Sequence, residues 1–89
     1  METVTDDIVS KADQILKQSF PGAAIDWDPV TEDGRATGWV IWDGFAGTDP
    51  VDRQLAVSKV MRAAFAPDGW KLFAAIFAVT PEELAMMDS

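Results

Sequence analysis

The stretch WVIWDGFAGTDPVDRQ, residues 39–54, reads as an apolar strand, a small-residue loop and a marked helix start. Asp49 is placed to cap the helix, Pro50 stands at its first position, and Asp52 adds negative charge to its first turn. The intervening Gly44-Phe45-Ala46-Gly47 has the GxxG form of loops that clamp a phosphate backbone. It also has the form of a tight connection between a strand and a helix.

Working outward, the chain before this stretch opens with a helix over about Asp6–Phe20, capped by Thr5. Ile8, Val9, Ala12, Ile15, Leu16 and Ser19 fall on one arc of it, and charged and polar residues on the other. Pro21-Gly22 ends it. AAIDWD then alternates as a short strand with one wet face, and Asp33-Gly34 signals a hairpin into ATGWVIW, which is apolar on both faces.

After the stretch, the second helix runs to about Ala66, with Ala56, Val57, Val60, Met61, Ala64 and Phe65 as its buried arc. WKLFAAIFAVT is a third strand, with Leu72, Ala74, Ile76 and Ala78 on one face and Phe73, Ala75, Phe77 and Val79 on the other. Apolar residues on both faces predict a central position. Thr80-Pro81-Glu82-Glu83 is a capping box that opens a last short helix. The order α-β-β-α-β-α predicts one two-layer α+β domain over residues 1–89, a three-stranded mixed sheet covered by helices on one face. Apolar strands with one cover layer leave a surface for a partner.

Composition narrows the chemistry. The 89 residues carry a net charge of −8, no cysteine and no histidine. Thiolate and imidazole metal sites, a nucleophilic cysteine and a histidine general base are excluded. No segment is net positive, which argues against nucleic acid as a partner. The acidic, polar opening does not read as a signal peptide, and the longest apolar run, Leu72–Val79, is far short of a membrane helix. A cytoplasmic, non-enzymatic protein with no cofactor is expected.

The chain resembles the BolA-like family, whose fold is related to type II KH domains. The likeness lies in ILKQSFPGAAIDWD, in Asp43, Phe45, Gly47 and Arg53 of VIWDGFAGTDPVDR, and in Thr80, Pro81 and Glu83 of FAVTPEEL. It implies an α+β fold over nearly the whole chain. The family's Arg-His-Arg at the second helix reads Arg53-Gln54-Leu55 here, its histidine early in the last strand aligns with Leu72, and the loop Pro29–Arg35 has no His or Cys. In the family those groups bind an iron–sulfur cluster shared with a monothiol glutaredoxin, so that activity is not carried over. In KH domains the GxxG joins two helices, whereas Gly44–Gly47 follows a strand and is flanked by Asp43 and Asp49.

Among single residues, Arg53 sits inside the apolar arc of the second helix, so it either snorkels to water or pairs with a carboxylate, Asp43 and Asp49 being near in sequence. Trp42 and Trp70 lie at strand ends, where exposure is expected, and Leu55 falls on the polar arc. Asp26, Asp28, Glu32 and Asp33 lack the spacing of a calcium loop and read as a solvated face. The expected function is a protein-interaction module, binding another protein or itself as a homodimer, through the apolar sheet face and a surface of Trp42, Asp43, Phe45, Arg53, Leu55 and Trp70. The alternative is a KH-like nucleic-acid-binding regulator that uses the Gly44–Gly47 loop.

Overall fold

The computed structural model describes residues 5–87. The elements are α1 (Asp6–Ser19), β1 (Ala24–Trp27), β2 (Ala36–Ile41), α2 (Pro50–Ala64), β3 (Phe73–Val79) and α3 (Pro81–Met87), with 3-10 turns at Asp43–Phe45 and Gly69–Leu72. Each α-helix start follows its local code. The Thr5 hydroxyl accepts from the Ile8 N–H at 3.3 Å, and the Asp49 carboxylate accepts from the Val51 N–H at 2.9 Å. At α3 the box closes both ways: the Thr80 hydroxyl accepts from the Glu83 N–H, and the Glu83 carboxylate accepts from the Thr80 N–H.

The sheet order is β1-β2-β3, antiparallel between β1 and β2 and parallel between β2 and β3. A parallel pair needs a crossover, and α2 supplies it. β2 is therefore the central strand, and β3, expected at the centre, is an edge. Its two apolar faces have different causes: one packs under the helices and the other lies on the open side of the sheet.

The phase of β3 also differs from simple alternation. Ala36 pairs with Phe73 and Thr37 with Ala75, so a bulge at Ala74 absorbs one residue. Before the bulge Phe73 faces the helices; after it Ile76 and Ala78 do. Leu72 and Trp70 fall in the 3-10 turn outside the strand.

The core lies between the sheet and two helices. Ala12, Leu16 and Phe20 come from α1 and its cap, Val57, Met61 and Phe65 from α2 and its cap, and Ala36, Val40, Phe73 and Ile76 from the strands. Burial alternates along β2, with Ala36, Gly38 and Val40 buried and Thr37, Trp39 and Ile41 only partly so, which puts both helices on one face. On α2 the inward stripe is Arg53, Val57, Met61 and Phe65; Ala56, expected on it, is exposed because the stripe is centred one position further round. Among the described residues no helix is long and apolar enough to cross a membrane.

Candidate functional site

The loop after β2 is held by its own aromatic residues. Trp42 donates its indole N–H to the Pro21 carbonyl at 2.9 Å and packs edge-on against Phe20 and Phe45, with centroids 5.3 and 5.1 Å away. The same indole lies over Gly44, where a Cβ would come within 2.5 Å of the ring. The close approach that a glycine permits is thus already used by Trp42. Gly47 has φ of +80° with open space around it, so its requirement is conformational. The GFAG segment is a tight connection under an aromatic lid. Trp42 is half-buried, Phe45 is buried and Asp43 is exposed.

Arg53 is 6% exposed. Its Nε donates to the Thr48 carbonyl at 2.9 Å, its Nη1 to Glu83 Oε1 at 2.6 Å, and its guanidinium lies 5.9 Å from the centre of the Phe45 ring. Of the two alternatives its place on the wheel leaves open, it takes the carboxylate, but the partner is Glu83 of α3 rather than Asp43 or Asp49. The side chain turns toward the end of the GFAG connection and the start of α3, tying both to α2. Glu83 is held below the ordinary glutamate pKa, first by the hydrogen bond from Arg53 and then by the Thr80 N–H, with desolvation opposing.

Gln54, next along α2, stands where the BolA-like pattern has a histidine. Its Nε2 donates to the Ile76 carbonyl at 3.0 Å, and its Oε1 accepts from the Ala78 N–H at 3.1 Å. The side-chain amide therefore occupies the outer edge of β3. In the sequence it reads only as a lost ligand; its role depends on a strand 22 positions away being at the sheet edge.

Leu55 and Val51 are 62% and 65% exposed, and with Pro50 they form an apolar shelf on α2. The shelf shares Gln54 and Ser58 with a trough of about 280 Å³ between α2 and β3, floored by Val57, Met61, Phe73 and Ile76. Trp70, half-buried, closes the trough's far end; its indole N–H bonds the Pro67 carbonyl, and the Arg62 guanidinium stacks 4.5 Å from its ring centre. Trp42 and Trp70, expected at the surface, are each half covered and fixed by backbone carbonyls.

The other face of the sheet has no helix over it among the described residues. There Trp39 and Phe77 lie side by side, centroids 4.5 Å apart, with Phe77 40% exposed and the Trp39 N–H donating to Asp28 at 3.1 Å. Thr37, Ile41, Ala75 and Val79 share that face by register. Among the described residues no cluster of three acidic groups is placed to hold a metal ion. Asp33, from the candidate solvated face, is held below the usual carboxylate pKa by the Thr31 hydroxyl and Arg35.

Of the six predicted site residues, Trp42, Phe45 and Arg53 come together with Glu83 and Thr48 in one structural node. Leu55 and Trp70 flank the α2–β3 trough, and Asp43 belongs to neither group. Trp39 and Phe77 were absent from that set because nothing local tells a buried aromatic strand residue from one on an uncovered face.

No protein-family model matches the sequence, and no curated protein matches it. Solved structures do match: the crystal structure of a Bol-like protein from Babesia bovis aligns over 99% of this chain and 98% of its own, with a TM-score of 0.54 and 16% sequence identity. That likeness is in the fold, and the chain has the α+β architecture of a BolA-like protein.

Proposed function

We propose that this chain is a small, non-enzymatic protein-interaction module of the cytoplasm. The observation that carries this reading is the uncovered sheet face, where the Trp39–Phe77 pair and its apolar neighbours form one contiguous surface. A partner or a second copy that covers this face would bury aromatic area, the kind of area that dominates interface energetics. The non-enzymatic part rests on side-chain chemistry. The trough is walled by apolar groups, Gln54, Ser58 and Arg62, with no pair of convergent acid–base groups.

The GFAG loop is not read as a phosphate grip, since its glycines are used by Trp42 and by backbone conformation. The test uses the full chain and its Phe77→Ser variant. Sedimentation equilibrium and affinity capture from native extract are expected to show self-association or a retained partner that the variant loses. A protein that stays monomeric at all concentrations, and captures the same set with or without Phe77, overturns the proposal.

A further inference from the structure

The geometry points to a second docking surface, the trough between α2 and the free edge of β3, which binds an extended peptide that pairs with that edge and sets a carboxylate against Arg62. The surface is distinct from the Trp39–Phe77 face, and three observations carry it.

The first is the way Gln54 sits on the edge. It bonds the Ile76 carbonyl and the Ala78 N–H, the two groups flanking Phe77. A single residue of a parallel strand donates to one carbonyl and accepts from the N–H two positions later, which is the same pair. The amide of Gln54 thus stands in for the N–H and C=O of one residue of a neighbouring strand. The edge is set for ladder pairing at its C-terminal half, and Gln54 ends the open stretch there.

The second is the trough beside the rest of the edge. At about 280 Å³ it suits one apolar side chain rather than a cofactor, with Val57, Met61, Phe73 and Ile76 as its floor. An extended chain advances about 3.3 Å per residue and turns alternate side chains the same way. A peptide along this edge would therefore place one side chain into the trough while its backbone meets the strand on the C-terminal side of the bulge at Ala74. The polar groups an occupant would meet on the β3 wall are those of a backbone, so a peptide fits them better than a small metabolite.

The third is Arg62. Its guanidinium is stacked on Trp70 at the trough's end, and among the described residues it forms no ion pair. Lying over the ring holds the guanidinium near the trough and leaves its N–H donors for a carboxylate. The net charge of −8 would repel an acidic peptide at long range, but screening confines that effect to about 8 Å at physiological salt, and Arg62 is the local charge. The same net charge disfavours a second copy in this trough.

The test is an amide chemical-shift titration of the full chain with two end-capped hexapeptides of alternating valine and threonine, one carrying a single glutamate and the other glutamine there. Expected are saturable shifts over residues 74–76 and around Arg62, with the glutamate peptide about two- to fivefold tighter at physiological salt. Arg62→Gln removes that preference, and Ser58→Trp, which fills the trough from an exposed position, abolishes binding of both peptides. Phe77→Ser leaves the titration unchanged, so failure of the sheet-face proposal does not decide this one. The proposal is overturned if no shift appears at millimolar peptide, if shifts gather on the Trp39–Phe77 face, if a thymidine hexanucleotide moves the same amides more strongly, or if they move with protein concentration alone.

Discussion

Arg53 and Glu83, 30 positions apart, meet at 2.6 Å with the arginine almost wholly enclosed and the glutamate half-open to solvent. The asymmetry defines the job of each. The arginine is the fixed member, anchored also to the Thr48 carbonyl, and the glutamate is shared between it and the capping box of α3. One guanidinium thereby joins the end of the GFAG connection, the first turn of α2 and the start of α3.

Arg53→Ala is expected to cost about 2 kcal/mol, the scale of a charged hydrogen bond lost together with packing on Phe45. Urea denaturation checks this. Arg53→Lys restores less than half, because an ammonium cannot present Nε and Nη1 in the fixed geometry that reaches Thr48 and Glu83 at once.

Glu83 makes this node depend on acid. Its folded pKa lies below the ordinary value, so the unfolded chain binds more protons as pH falls, and stability declines with it. The contribution is fully present above the ordinary glutamate value, about 4.3, and is lost as pH drops through the folded value. The difference in denaturation midpoint between the wild type and Glu83→Gln is therefore constant above about pH 5 and closes below it. A difference that does not change down to the acid limit contradicts the assignment.

What the sequence makes legible follows from range. Thr5, Asp49-Pro50 and Thr80-Pro81-Glu83 are codes that act within three or four residues, and all three start helices where they stand. The amphipathic face of α1 is equally local. The position of β3 is not, because an apolar strand looks the same at the centre of a sheet and at an edge with one covered side. A bulge at Ala74 reverses the phase of alternation without changing composition, so Phe73 moved to the opposite face from that expected. Arg53 announces that it must reach water or a carboxylate, yet nothing local says which, or that the carboxylate is Glu83. Gln54 announces nothing, since its bonds exist only once α2 lies along the edge of β3.

The two glycines of the loop separate by mechanism. Gly44→Ala forces a methyl into the Trp42 indole and is expected to destabilise by about 1–3 kcal/mol, with a change in tryptophan emission as the ring is displaced. Gly47→Ala meets no atom and costs only its left-handed backbone, about 1–2 kcal/mol, with emission unchanged. If Gly44→Ala leaves the emission as it was, Trp42 does not roof the loop in solution.

Gln54 predicts a local effect rather than a global one. Its two bonds to β3 lie at the rim of the molecule, where each contributes about 0.5–1.5 kcal/mol at most. Gln54→Leu keeps the helix propensity of the position and removes both bonds. Global stability is expected to fall by about 1 kcal/mol. Because the Ala78 N–H then loses its acceptor, its hydrogen exchange is expected to accelerate well beyond what that small loss explains, while the Ala75 and Phe77 amides, on the β2 side of the strand, follow global stability. The freed Ile76 carbonyl and Ala78 N–H lengthen an unpaired edge, so the variant is also expected to associate at high concentration, read by light scattering. If exchange at Ala78 changes no more than at Ala75, the amide of Gln54 does not hold the edge.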